Sequence, residues 1–511
     1  MALLLVGVPL TAQAQMNFKP LDRGEYTEVE DRVLVVKGLE AGGDYAFMLQ
    51  RLYDPELPGT STRSRIFQDF RLNLDSAIDR EVDMHITLEA VSGQLNDADP
   101  RLAPALDNRL DDGMSDMTVQ AREAYLRYRF NPRSGLIMGK QEVSIGDRRG
   151  KTFDGIVPGA TLDCQVKTWC FPFGVFKIGK DDNDFVYHFA LTYNAWEDPE
   201  DTPENTPKDT LKVEIFRTLY NETNTPLGTN LGPGYKDRNN PAVTPYSINT
   251  AVGPQNAQVV DGNGVPMYFD SVNHNYFGLR IDFQNGGFFW NYDVTSDQGS
   301  RKYHLYIDPA TDQPVGTPSY GTRVVEKNIS GVAMETEIGF QGDEVRGGLR
   351  AMNATGDKYI AGEGGYLRNM VGYYEISPGT YKGTRYYFNG RDSDVGDGGG
   401  LGHSINNTRV VGLFVDWDSP GESRKAFHTG VFKLTRNHPV PIGDPALGVQ
   451  STEIGTEWDN MAVFYIHKAL QLQLEGNIFY QGPAFSYTDY IVPDGHTQTN
   501  VQLIGRFVYH F

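Results

Sequence analysis

The stretch Val501-Gln502-Leu503-Ile504-Gly505-Arg506-Phe507-Val508-Tyr509-His510-Phe511 decides the fold of this 511-residue chain. Val501, Leu503, Phe507, Tyr509 and Phe511 fall on one face at the period-two spacing of a strand, while Gln502, Arg506 and His510 fall on the other. An apolar face on such a strand needs something apolar outside it. The aromatics crowd one end, where a bilayer interface would sit. A soluble sheet also alternates, so the pattern has to be read together with the rest of the chain.

Composition points the same way. Hydrophobic residues make up 39%, too few for a bundle of membrane helices, whereas 12% aromatics and 56 Gly suit strands that put only every second residue into lipid. Beyond the N-terminus no stretch approaches the roughly 18 apolar residues of a membrane helix. The segment Ala2 to Leu10 followed by Ala12-Gln13-Ala14 reads as a signal-peptide core with an A-x-A cleavage site, although its basic n-region is missing. The expected organisation is a signal peptide over 1–14, an N-terminal periplasmic segment over 15–39 and one transmembrane barrel over 40–511.

The formal net charge is −20, and residues 1–15 carry none of it. Phosphate contacts need a basic surface, so nucleic acid is not expected as a partner. An anionic substrate is not excluded, because it is the local field in a pore that acts on a permeant. The two cysteines, Cys164 and Cys170, could close a small loop disulfide or remain free. Their spacing fits no haem or zinc motif.

Alternation recurs along the chain. Phe70, Leu72 and Leu74 oppose Asp69, Arg71, Asn73 and Asp75; Val82, Met84, Ile86, Leu88 and Ala90 oppose Asp83, His85, Thr87 and Glu89. Phe277, Leu279, Ile281 and Phe283 oppose Arg280 and Asp282, and Leu470, Leu472, Leu474 and Ile478 oppose Gln471, Gln473, Glu475 and Asn477. Turn formers mark short connections at 77–80, 131–134, 181–183, 285–287, 341–343 and 419–421. Long polar stretches lie around 93–116, 147–170, 220–271, 298–328, 353–406 and 483–497. Short turns on one side and long loops on the other are the asymmetry of an antiparallel up-and-down barrel in an outer membrane. Pairing the segments gives 16 strands, or 18 if Leu211 to Phe216 finds a partner.

Two stretches resemble the alginate-export family of outer-membrane barrels. The first runs from Arg122-Glu123-Ala124-Tyr125-Leu126 through Gly139-Lys140-Gln141-Glu142-Val143-Ser144-Ile145-Gly146-Asp147-Arg148 to Phe153-Asp154-Gly155. The second is Glu453-Ile454-Gly455-Thr456-Glu457-Trp458-Asp459 with the following Leu470 to Gly482 strand. Lys140 stands where the family usually has Arg. The resemblance implies an all-β barrel of about 18 strands in the bacterial outer membrane, and a passive export or diffusion pore for an anionic polysaccharide or small anionic solutes. Glu123, Gly139, Gln141, Glu142, Gly146, Asp147 and Arg148 would be its motif residues. Phe507, Tyr509 and Phe511 resemble the C-terminal assembly signal of such barrels. The partners of this reading are outer-membrane lipid and lipopolysaccharide, the barrel-assembly machinery, and a polysaccharide or periplasmic export proteins. No cofactor or metal is expected.

Sugar carboxylates can pass from one guanidinium to the next, and the lumen-parity candidates are Arg71, Arg127, Arg129, Lys140, Arg280, Arg346, Arg350 and Arg506. Acids of the same parity (Glu89, Glu123, Glu335, Glu337, Glu453, Glu457, Glu475) are as plain, so ladders of ion pairs stiffening the wall are the blander reading. Strand order would set the arginines near Asn131 against the acids of the final hairpin, giving a transverse field. Two other classes stay open: a barrel sheathing a multihaem cytochrome, and an outer-membrane enzyme, for which His403-Ser404 is a weak start. Asp392 to Gly398 reads as a solvated turn rather than a calcium loop. Tyr373, Tyr374, Tyr381, Tyr386 and Tyr387 would anchor their loop at the interface or stack on sugars.

Overall fold

In the computed structural model the described residues are 26–27, 35–36, 39–53, 62–78, 81–95, 118–131, 133–145, 151–178, 184–195, 210–223, 259–260, 266–308, 313–314, 321–356, 372–373, 375–376, 381–388, 403–419, 424–443, 447–467, 469–485 and 494–511. The proposed signal peptide, and Gly146, Asp147 and Arg148 of the family motif, lie outside them. Eighteen strands form the wall. They are β1 (Leu39–Tyr53), β2 (Thr62–Ala77), β3 (Val82–Leu95), β4 (Thr118–Asn131), β5 (Ser134–Ile145) and β6 (Phe153–Val166). Next come β7 (Phe173–Lys177), β8 (Phe185–Ala195), β9 (Thr210–Thr223), β10 (Pro266–Asn285), β11 (Phe288–Asp308) and β12 (Gly321–Gln341). The last are β13 (Val345–Ala354), β14 (Thr408–Ser419), β15 (Lys425–Pro441), β16 (Gln450–His467), β17 (Leu470–Gln481) and β18 (Thr499–His510).

Each strand pairs antiparallel with the next, and β18 pairs with β1 from Val501↔Tyr53 to His510↔Asp44, so the sheet closes on itself. Closure gives every wall strand a partner on both sides, which is what allows a sheet to sit in hydrocarbon. Phe511 and Gly43 exchange backbone hydrogen bonds of 3.0 and 2.9 Å at the seam.

The period-two pattern becomes an inside and an outside. On β18 Gln502, Ile504, Arg506 and Val508 are buried, while Leu503, Phe507 and Tyr509 are 44–52% exposed. Leu126, Met138, Ile215, Phe277, Trp290, Leu413, Val431, Trp458 and Leu474 are exposed on the same outer face. An apolar exterior around a polar interior is the inverse of a soluble sheet, and it is the architecture of an outer-membrane barrel. Crossing is by strands; among the described residues no helix is long and apolar enough to do so.

Connections of two to six residues at 78–81, 132–133, 167–172, 286–287, 342–344, 420–424 and 468–469, and a longer one at 196–209, share one end of the barrel. Gly286 and Gly287, at φ 55° and 87°, supply the left-handed pair of a two-residue hairpin. Three expectations need correction. Residues 147–170 are not one loop, because β6 lies inside them; its Gly155, Pro158 and Gly159 disguise a strand as turn formers. The stretch 298–328 contains the ends of β11 and β12, which stand taller than the bilayer requires. The 178–184 connection belongs to the end with the long loops.

Candidate functional site

The lumen is crossed by its own chain. The described residues of the connection from β13 to β14 (372–373, 375–376, 381–388 and 403–407) form an inward strap whose two feet meet at one carbonyl: Thr355 O accepts from Tyr373 N at 2.9 Å and from Asn407 N at 3.2 Å. Tyr373 Oη lies 2.7 Å from Thr152 Oγ1, and Ile376 N donates to Thr152 O at 2.9 Å, tying the strap to the segment that precedes β6. That segment is itself tied to β11 by the ion pair of the fully buried Lys151 with Asp293, and Lys382 of the strap reaches Asp154 of β6 at 3.5 Å.

The strap tip then docks on the wall from β12 to β18. Tyr381 donates to Glu335 at 3.0 Å, and Arg350 donates to Gly383 O at 2.8 Å. Arg385 N donates to Asp459 at 3.1 Å, and Tyr386 N and Tyr387 N donate to the two oxygens of Glu457 at 2.5 and 3.1 Å. The Arg385 guanidinium reaches Glu475 at 3.0 Å, and Asn500 donates to Tyr386 Oη at 2.8 Å. Tyr387 stacks on His403 at 4.2 Å, with Phe479 and Phe485 closing the aromatic cluster. Glu475 and Arg350 each stand five residues from the short-turn end of their strands (Leu470 and Val345). Glu457 and Asn500 stand ten residues from theirs (His467 and His510), so at about 3.3 Å per residue and a tilt near 40° the tip's partners span roughly 13 to 25 Å from the short-turn end. Tyr373, Tyr381, Tyr386 and Tyr387 are completely buried inside the wall, which corrects their reading as interface anchors. Tyr374 lies outside the described residues.

The candidate arginines sit on the inner wall in ion pairs. Arg71 meets Asp69 at 2.8 Å and Glu89 at 3.2 Å; Arg129 meets Asp83 at 2.5 Å; Arg280 meets Asp282 at 2.9 Å. Arg346 and Arg350 share Glu337, and Arg506 lies 3.6 Å from Glu475. Arg346 also lies over the rings of Phe289 and Phe414 at 4.3 and 5.4 Å and keeps 25% of its side chain exposed. Arg127 is inward and half-buried. Lys140 is the exception: it shares the outward parity of Met138 and Glu142, and its amine donates to Ala121 O at 2.6 Å rather than lining the lumen. Of the final-hairpin acids, Glu457 and Glu475 are engaged by the strap, and Glu453 is exposed and paired with Lys433 rather than lumen-facing, so the wall does not present the basic and acidic arcs of a transverse field.

Among the motif residues, Glu123 reaches His85 at 3.3 Å, buried Gln141 accepts from Thr161 at 3.0 Å, and Glu142 is exposed on the outer face. Gly139 has φ 136°, and a Cβ there would run into the Ala124 carbonyl. Phe507, Tyr509 and Phe511 form an outward aromatic group, with Phe511 stacked on Phe70 at 5.7 Å. Cys164 and Cys170 are free thiols. Cys170 pairs with Gln165 and donates to Asp163 at 2.7 Å, whereas Cys164 pairs with Phe171, so the two side chains leave opposite faces of the hairpin.

Alternation alone misses Arg122. Thr87 pairs with Glu123 and Leu88 with Ala121, so Arg122 is the extra residue of a β-bulge and turns inward, 2.8 Å from Glu89. Arg385, Lys382, Lys151 and Asp459 are also absent from the sequence candidates. His403 and Ser404 do not form a catalytic pair: the serine donates to Glu375 at 2.5 Å and the imidazole faces Tyr387. Asp392 to Gly398 lies outside the described residues, and among the described ones no three His, Cys, Asp or Glu side chains converge as a metal site.

Closed wall, apolar exterior and strapped polar lumen together define a transmembrane β-barrel with an internal constriction. No family model matches the chain, and no curated protein sequence matches it. Solved structures similar to it include Pseudomonas aeruginosa OccK5 (OpdH), at 12% identity over 93% of this chain and 99% of that one with a TM-score of 0.45. Others are OccK9 (OpdG) of the same organism, at 10% identity, 93% and 99% coverage and a TM-score of 0.47, and OpdK with vanillate, at 11%, 92%, 99% and 0.44.

Proposed function

We propose that this chain is a passive channel of the bacterial outer membrane for small solutes, small carboxylates among them, and not a conduit for a polymer. The observation that carries the proposal is the strap, held inside the wall by hydrogen bonds to β12, β13, β16, β17 and β18 and to the segment before β6. A linear polysaccharide or a sheathed cytochrome needs that cross-section clear. A small solute needs only the space the strap leaves.

Anion preference, if carried by the wall, rests on inward arginines that keep accessible surface, Arg127 and Arg346 among the described ones, the latter also paired with Glu337. Most other guanidiniums already face a carboxylate, so a permeant has to compete for them and the preference should be modest. It should also fade as the Debye length falls from about 10 Å at 0.1 M to about 3 Å at 1 M salt.

Purified protein in planar bilayers is expected to give stepwise conductance, with a reversal potential in a salt gradient that favours anions slightly. An Arg127→Glu, Arg346→Glu double variant should lose or invert that preference at low salt. An unchanged permeability ratio would remove the carboxylate reading while leaving the channel. Absence of any conductance from correctly folded protein, wild type and variants alike, would remove the channel itself.

A further inference from the structure

The strap tip is held in an unusual way. Three successive peptide N–H groups, those of Arg385, Tyr386 and Tyr387, all donate to two carboxylates two residues apart on β16. Glu457 and Asp459 are both 0% exposed. Packing alone does not call for this arrangement. Removing a carboxylate from water costs several kcal/mol per ion, and a hydrophobic replacement of a buried charged contact is often neutral or stabilising. What a carboxylate seat offers is a second stable state. With the strap seated, the acids are satisfied by N–H donors and the donors by acids. With the strap lifted, both sets face the polar lumen and can be rehydrated. The aromatic contacts of Tyr386 and Tyr387 with Phe479 and Phe485 are lost on lifting and favour the seated state, while the polar seat lowers the cost of leaving it.

The remaining contacts divide accordingly. The feet at Thr355 and the tie to Thr152 hold the strap's base whatever the tip does. Besides Glu457 and Asp459, groups facing the tip include Glu475, Arg506 and Asn500 from β17 and β18, Glu335 and Arg350 from β12 and β13, and Asp154 of β6. Glu475 makes a charge pair with the tip through Arg385, and Asp154 makes one through Lys382.

We infer that Glu457 and Asp459 are positioning residues that seat the strap tip across the lumen and thereby set the aperture of the channel. The inference rests on the channel reading above. Seated, the tip narrows the pore for any permeant; unseated, it widens the pore while the barrel stays closed and folded.

The test is single-channel recording of the full-length protein in planar bilayers, with size exclusion by graded polyethylene glycols. It compares wild type, Glu457→Gln with Asp459→Asn, and Arg385→Ala. Folding of each is checked by the mobility shift of unboiled samples in gels. The double variant keeps the side-chain volumes but replaces one acceptor oxygen of each carboxyl group by an NH2 that cannot accept. Its conductance is expected to rise by roughly twofold or more, because the constriction governs flux, and its polymer cut-off should move to larger sizes. Arg385→Ala, which removes the contact to Glu475, should give a smaller shift in the same direction, and the single variants Glu457→Gln and Asp459→Asn carry the test if the double variant fails to assemble. Folded variants with wild-type conductance and cut-off overturn the seat and leave the channel standing. A silent wild type with conducting variants supports the seat as a closed gate. Silence in all of them overturns the channel and the inference together.

Discussion

Placing a positive charge at Leu126 tests the inside-outside assignment of the wall at a single residue. Leu126 is 40% exposed on the outer face of β4, opposite Met84 and Met138, and stands five residues from Asn131 at the short-turn end. At about 3.3 Å per residue with strands tilted near 40°, that is roughly 13 Å, half of an apolar band about 25 Å tall. Arginine at that depth is expected to cost about 2–4 kcal/mol. That corresponds to roughly a 30- to 1,000-fold loss in the folding equilibrium constant. Phe130, on the same face and one residue from the turn, is 54% exposed, and Phe130→Arg should cost only about 0–1 kcal/mol because it reaches the interface. Equilibrium unfolding by denaturant in lipid vesicles, followed by tryptophan fluorescence and gel mobility, measures both. A neutral Leu126→Arg, or equal costs at the two sites, would refute the register of β4 and with it the assignment of Arg127 to the lumen.

Gly139→Ala should destabilise the β4–β5 pair by at least about 1–3 kcal/mol, from a φ of 136° and the clash with the Ala124 carbonyl, measured in the same unfolding assay. Glu89→Ala strips a shared partner from Arg71 and Arg122 and should cost about 3–5 kcal/mol, whereas Glu142→Ala on the exposed face should stay within about 0.5; similar costs would argue against the buried cluster. Alkylation of unreduced, denatured protein should label both cysteines, since Cys164 and Cys170 leave opposite faces of their hairpin; a mass deficit of two hydrogens with no label would show a disulfide instead.

Much of the wall is legible in the sequence because the bilayer enforces one rule on every strand. β2, β3, β10, β17 and β18 show it plainly, and their inner and outer faces in the structure follow the predicted parity. Lys140 is legible by the same rule once its neighbours Met138 and Glu142 are given more weight than the motif that contains it. Arg122 is not, because one inserted residue reverses the parity and nothing local announces the bulge. β6 hides behind its Gly and Pro residues. The strap is unreadable for a different reason: its place is fixed by contacts to residues 70 to 90 positions away, such as Tyr387 to Glu457 and Arg385 to Glu475. A tyrosine with an apolar body and a polar tip suits a membrane interface and a wet lumen equally, so the composition of that segment could not decide between them.

The seam between β18 and β1 bears on the order in which the barrel is made. Asp44 and His510 face each other there across 466 residues, whereas the strands joined by short turns meet across only a few. Closing so long a loop costs roughly 3 kcal/mol more than closing one of about 20 residues, by the logarithmic growth of loop entropy. Hairpins should therefore zip first and the seam last, leaving a nearly complete sheet with two open edges as the slowest species on the pathway. Those edges are the lipid-facing Tyr45, Leu49 and Tyr53 on one side and Leu503, Phe507 and Tyr509 on the other, and each can template pairing with a foreign strand until the other arrives. A barrel closed this way makes its last strand a timer: until Phe511 and Gly43 clasp, the protein is an insertion intermediate that must be held, and afterwards it has no edge left to misuse.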